Sequence, residues 1–106
     1  MGMRLTDTTV RVAIALSEEP FARHWGYSLQ KRAHVRSGVM YPILQRMLEE
    51  GWLADGWEDP AEIDRKRPPR RYYTLTDKGR TGLGLLLDDA RADTRFGTLP
   101  WAGVGL

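Results

Sequence analysis

The chain has 106 residues, enough for one domain with its own core and too few for two. Its apolar share of 42%, with four Trp, four Tyr and two Phe, suffices to fold without staples, and the absence of cysteine excludes disulfides, thiolate metal sites and Cys nucleophiles. No apolar run approaches the roughly 18 residues of a membrane span, and no export signal opens the chain, so a soluble, cytoplasmic protein is expected.

The net charge of +2 hides a segregation. Residues 49–64 hold seven acids and no Lys or Arg, whereas residues 65–80 hold seven bases against one acid, a net +6. Such density attracts a polyanion. Lys31, Arg32, Arg36 and Arg46 form a second basic group before the acid block.

In chain order, Val10, Ala13, Ile14 and Ser17 repeat at helical spacing and predict a first helix over about 7–17, capped by Thr6 or Asp7 and ended near Pro20. A second, short helix is expected from just after Gly26 to about Ala33. Ser37 is a strong N-cap type and precedes an apolar stripe of Met40, Leu44, Met47 and Leu48, which predicts a third helix. Pro42 is tolerated only near the first turn, and Gly51 is the expected C-terminal stop.

Residues 52–57 and 70–75 read as two antiparallel strands joined by a long, proline-stiffened loop whose second half is basic. Thr76 caps a fourth helix beginning at Asp77, along which Leu83, Leu86, Leu87 and Ala90 form a stripe. That stripe looks too apolar for solvent and too short for a monomer core, so a subunit interface is expected. Gly79, Gly82 and Gly84 each cost such a helix about 1 kcal/mol. From Gly97 the chain reads as an irregular tail. The fold class is therefore mainly α with a small β-hairpin: a winged helix-turn-helix over 1–76, a dimerisation helix over 77–96 and a tail over 97–106.

A helix fits the major groove while the helix before it crosses the backbone. The third helix has the required slim, polar front in Ser37, Gly38, Tyr41, Pro42, Gln45 and Arg46, flanked by Arg36. Gln suits adenine and Arg suits guanine by bidentate geometry, although Arg46 also stands three and four residues before Glu49 and Glu50, where it can pair within the helix. Arg65, Lys66, Arg67, Arg70 and Arg71 suit phosphate, which positions rather than reads. Strand alternation sends Arg70 and Arg71 to opposite faces. Lys31, Arg32 and Arg36 suit flanking phosphates or plain solvent, and the acidic half of the wing is expected to point away. Trp25, Trp52 and Trp57 are expected to pack within the chain, and Trp101 either covers a neighbouring subunit or is disordered.

Residues 36–53 (RSGVMYPILQRMLEEGWL) and 67–80 (RPPRRYYTLTDKGR), preceded by Trp25-Gly26-Tyr27, resemble the PadR family of winged helix-turn-helix transcriptional regulators over about residues 8–95. The resemblance implies a dimeric, cytoplasmic, DNA-binding repressor whose last helix forms much of the dimer contact, with Tyr41 taking the place of the family's tyrosine that donates to phosphate. Some members respond to small aromatic molecules, so such an effector is a further implied partner. No cofactor is implied. Catalysis has no foothold either: His24 and His34 lack a metal-ligand spacing, and the glycines at 79, 82 and 84 run G-x-x-G-x-G, not the dinucleotide pattern. The alternative reading is a winged helix that engages a basic protein through its acidic 49–64 surface and ignores DNA.

Overall fold

The computed structural model describes residues 3–64 and 66–104. Four helices, α1 (Asp7–Glu18), α2 (Gly26–Ala33), α3 (Ser37–Glu49) and α4 (Asp77–Arg91), surround a small sheet of β1 (His24–Trp25), β2 (Leu53–Trp57) and β3 (Arg71–Leu75). This is the expected winged helix-turn-helix with one addition. The sheet has three strands in the order β1-β3-β2, all antiparallel. β1 is two residues long, His24 opposite Tyr73 and Trp25 opposite Tyr72, too short to leave a periodic signal in sequence.

The central element is α1. Thr6 caps it by accepting from the Thr9 amide at 3.1 Å, and every residue from Val12 to Ser17 is buried because α2, α3, α4 and the C-terminal turn all pack on it. The α2–α3 turn is closed by two backbone bonds, His34 N–H to Lys31 O and Val35 N–H to Gln30 O, both 3.3 Å. His34 takes the left-handed conformation at φ 54° that such a closure requires and that glycine usually supplies.

In α3, Met40, Leu44 and Met47 are fully buried and Leu48 partly so. The expected cap moves by one residue: Arg36 occupies the N-cap position without a side-chain bond, and Ser37 is the first helical residue. Pro42 lies sixth in the helix, past the first turn, so the Gly38 carbonyl loses the amide that would normally reach it; Gly38 is exposed, and water can replace that donor. The C-terminus follows expectation. Gly51 has φ 74°, its amide bonds to Leu48 O at 3.1 Å and that of Trp52 to Met47 O at 2.9 Å, the paired closure of a Schellman motif.

The next step joins α3, the wing and α4. Thr76 caps α4 by accepting from the Gly79 amide at 2.9 Å, while its own hydroxyl donates to Gly51 O and its amide donates to Trp52 O at 3.0 Å. A methyl on Gly79 would collide with the Trp52 carbonyl, and one on Gly82 would lie 2.5 Å from the Trp52 ring. These two glycines, expected to weaken α4, are the seat on which Trp52 rests, and the helix runs unbroken through them to Arg91. Gly84 faces open space.

Leu83, Leu86, Leu87 and Ala90 all belong to the chain's own core, none more than 7% exposed. Their apolar stripe is covered internally, which removes the reason for assigning them to a subunit interface; the exposed leucine of α4 is Leu85. Part of that cover comes from the segment expected to be a loose tail. After α4 the chain makes two short 3₁₀ turns, Thr94–Phe96 and Trp101–Gly103, burying Phe96 and Leu99 and fixing Trp101 by an Nε1–H bond to Phe96 O at 2.8 Å. The helix thus stops five residues short of 96.

Gly79→Ala and Gly82→Ala are expected to lower unfolding free energy in urea by about 1–3 kcal/mol despite the better helix propensity of alanine. Gly84→Ala, free of any neighbour, should raise it by up to about 1 kcal/mol.

Candidate nucleic-acid interface

On α3, Arg36, Ser37, Gly38, Tyr41, Pro42, Gln45 and Arg46 are all exposed, as the sequence pattern requires. A methyl built on Gly38 meets nothing within 4 Å, so this front is not shaped by the chain's own packing. Tyr41 is half-exposed, and its hydroxyl lies directly over Gly26, where any side chain would collide with it. The tyrosine therefore bridges from α3 to the first residue of α2. Arg46 forms no ion pair with Glu49 or Glu50 among the described residues and instead lines a groove with Met3, Arg4, Pro42 and Ile43.

The basic group on α2 divides. Lys31 is exposed, its Nζ 4.7 Å from the centroid of the Tyr27 ring. Arg32 turns inward, contrary to a backbone-gripping role: it donates to Ala15 O at 2.8 Å and Ser28 Oγ at 3.2 Å, and its Nη2 lies 3.1 Å from His24 Nδ1. His24 is buried, with Nε2 2.9 Å from Glu19 O. The carbonyl needs a donor and Arg32 has no acceptor to offer, so Nε2 carries the proton and Nδ1 accepts. Burial foremost, then the Arg32 charge, hold this imidazole below its ordinary 6.5.

On the wing, two residues of the acid block pair with two of the base block. Glu58 takes both Nη atoms of Arg67, at 2.6 and 3.0 Å, and the Arg70 amide at 2.9 Å. Asp55 takes Arg71 Nε and Nη2 at 2.8 and 2.6 Å. The two acids neutralise two of the arginines counted as phosphate ligands. Lys66 and Arg70 are exposed and their side chains have no carboxylate partner among the described residues; Arg65 lies outside the described residues. The Arg67 guanidinium first, and the Arg70 amide second, hold the Glu58 carboxyl at about 2, far below its ordinary 4.5.

Arg70 and Arg71 do not part company as strand alternation suggested, because the ladder ends at Arg71 opposite Trp57 and Arg70 lies beyond it. Both line one groove of about 530 Å³ with Trp25, Tyr27, Tyr41 and Tyr73. Tyr41 of α3 and the wing residues Arg70 and Arg71 therefore share a side of the molecule. Trp25 packs edge-on against Tyr72 at 5.4 Å and Trp52 against α4, as packing residues should. Trp57 does not: it is 64% exposed at the wing end of β2. Sequence reasoning also passed over Val39, 44% exposed in the first turn of α3.

The family model described as "Transcriptional regulator PadR-like family" matches residues 22–84, spanning α2, α3, the wing and the start of α4. The chain belongs to the PadR-like family. Among solved structures, a PadR family transcription regulator from Clostridium difficile superposes with a TM-score of 0.61 at 22% identity, over 77% of this chain and 86% of that one. A PadR-like transcriptional regulator from Bacillus cereus gives 0.58 at 25%, over 76% and 78%. Bordetella bronchiseptica BpsR, described in terms of regulation of its DNA binding by 6-hydroxynicotinic acid, gives 0.65 at 25%, over 93% and 70%. None of the curated proteins matches. Among the described residues of this PadR-like chain, no helix is long and apolar enough to cross a membrane.

The wing ion pair makes a small, acid-sensitive contribution. Its contribution to stability is complete above pH 4.5 and is lost as the pH falls toward about 2. In a carbon-detected NMR titration the Glu58 carboxyl should show its midpoint near 2, and in Arg67→Ala the midpoint should return toward 4.5.

Proposed function

We propose that this PadR-like protein is a cytoplasmic repressor that binds duplex DNA as a homodimer. The observation that carries the reading is the shared groove: Tyr41 on α3 and Arg70 on the wing line the same concavity, so one duplex can meet both. The front of α3 enters the major groove, with Gln45 and Arg46 directed at base edges and Ser37 and Gly38 keeping the approach slim. Arg36, Lys31, Lys66 and Arg70 meet phosphates, Arg65 joining them as the neighbouring base of the same loop. Tyr41 donates its hydroxyl to a phosphate. Arg67 and Arg71 act one step back, holding the hairpin through Glu58 and Asp55.

In a two-fold dimer the half-sites lie about 34–36 Å apart. The core location of Leu83, Leu86, Leu87 and Ala90 leaves the Leu85 face of α4 as the helical surface open to a second copy. A small aromatic effector fits the same groove, where the rings of Trp25, Tyr27 and Tyr41 stand beside Arg70; the regulation of BpsR by 6-hydroxynicotinic acid supports this.

Salt titration of binding to selected duplex DNA tests the assignment. Arg70→Ala should flatten the slope of log affinity against log salt by about one for each phosphate that is no longer neutralised, whereas Arg67→Ala should change it less. No retention on duplex DNA near physiological salt would overturn the reading in favour of a protein-binding module that uses the acidic surface. Gly38→Ala should separate fold from function: thermal melting rises, since alanine is the better helix residue by about 1 kcal/mol, while DNA affinity falls because the added methyl occupies the space of approach.

A further inference from the structure

The first two turns of α3 carry no charge from Ser37 to Leu44, and much of what they show outward is carbon. Val39 is 44% exposed, and Pro42, one turn on, is exposed as well. Residues three apart on a helix are neighbours on its surface, so the two form one small apolar edge. Core packing does not require a valine there, since the buried face of the helix is made by Met40, Leu44 and Met47. Toward a phosphate such an edge offers nothing. Toward the major groove it has one apolar counterpart, the C5-methyl of thymine, because guanine N7 and O6, adenine N7 and N6 and cytosine N4 are polar groups that valine would strip of water without replacing their hydrogen bonds.

We infer that Val39, backed by Pro42, determines specificity by packing on one thymine methyl in each half-site. The inference rests on the duplex-binding reading above and adds the identity of a base. It assigns the front of α3 two kinds of contact: methyl recognition at its first turn and hydrogen bonding at Gln45 and Arg46, two turns along.

The test starts from a duplex selected by the intact protein out of random sequence. Each thymine in the half-site is replaced in turn by deoxyuridine, which removes the methyl alone, and affinity is read by fluorescence anisotropy at fixed salt. One position per half-site should lose about fourfold, the worth of burying one methyl-sized group. In Val39→Ala, whose fold is checked by thermal melting, that replacement should have no further effect, while the other thymines behave as in the wild type. Equal deoxyuridine losses in both proteins would overturn the inference and leave DNA binding intact, as would a selected half-site without thymine. Failure to select any duplex would instead remove the duplex-binding reading itself, and this inference with it.

Discussion

Everything that presents the front of α3 depends on the seating of Trp52 against two glycines of α4. Trp52 is the second residue past the C-cap of α3 and the one before β2, so its position fixes where α3 stops and the wing begins. Its carbonyl accepts from the Thr76 amide, its ring lies on Gly82, and its backbone leaves no room for a side chain at Gly79. Thr76 meanwhile reaches back to Gly51 and forward to Gly79. A few atoms thus tie the C-terminus of one helix to the N-terminus of another, Gly51 and Thr76 being 25 positions apart in the chain. Close packing makes such a joint discrete rather than elastic.

Electrostatics sets a second constraint, at shorter range. The wing carries its bases in excess, yet Asp55 and Glu58 hold Arg71 and Arg67 at hydrogen-bond distance. Surface pairs of this kind add little to stability. Their effect is geometric: they fix the base of a long loop and leave Lys66 and Arg70, among the described residues, as wing cations not engaged by a carboxylate. The positive surface of the wing is consequently smaller and better placed than the raw count of Lys and Arg implies.

Helices were legible wherever a local rule operated. The stripe of Met40, Leu44 and Met47, the stop at Gly51 and the cap at Thr76 each follow from residues within one or two turns. What escaped was long-range. β1 exists because His24 and Trp25 find Tyr73 and Tyr72 on β3, far along the chain, and no two-residue pattern announces that. Ser37 looked like a cap by residue type, but the extended backbone needed at a cap position falls on Arg36. The leucines of α4 read from sequence as an uncovered stripe because the residues that cover them, in α1 and the last turns, share no pattern with them. Of the candidate interface, the exposed residues of α3 are readable from periodicity. The division of the wing arginines into bound and free was not, because it depends on pairs nine and sixteen residues apart.

The strand ladder ends where Trp57 faces Arg71, and the clamp of Glu58 on Arg67 and the Arg70 amide closes the neck just beyond it. Among the described residues between those points none is buried, and lengthening a closed loop costs free energy only as the logarithm of its length. The tip can therefore drift in length among descendants of this sequence while the residues of the joint, Gly51, Trp52, Thr76, Gly79 and Gly82, stay locked, so insertions will accumulate at one end of the hairpin and be purged at the other.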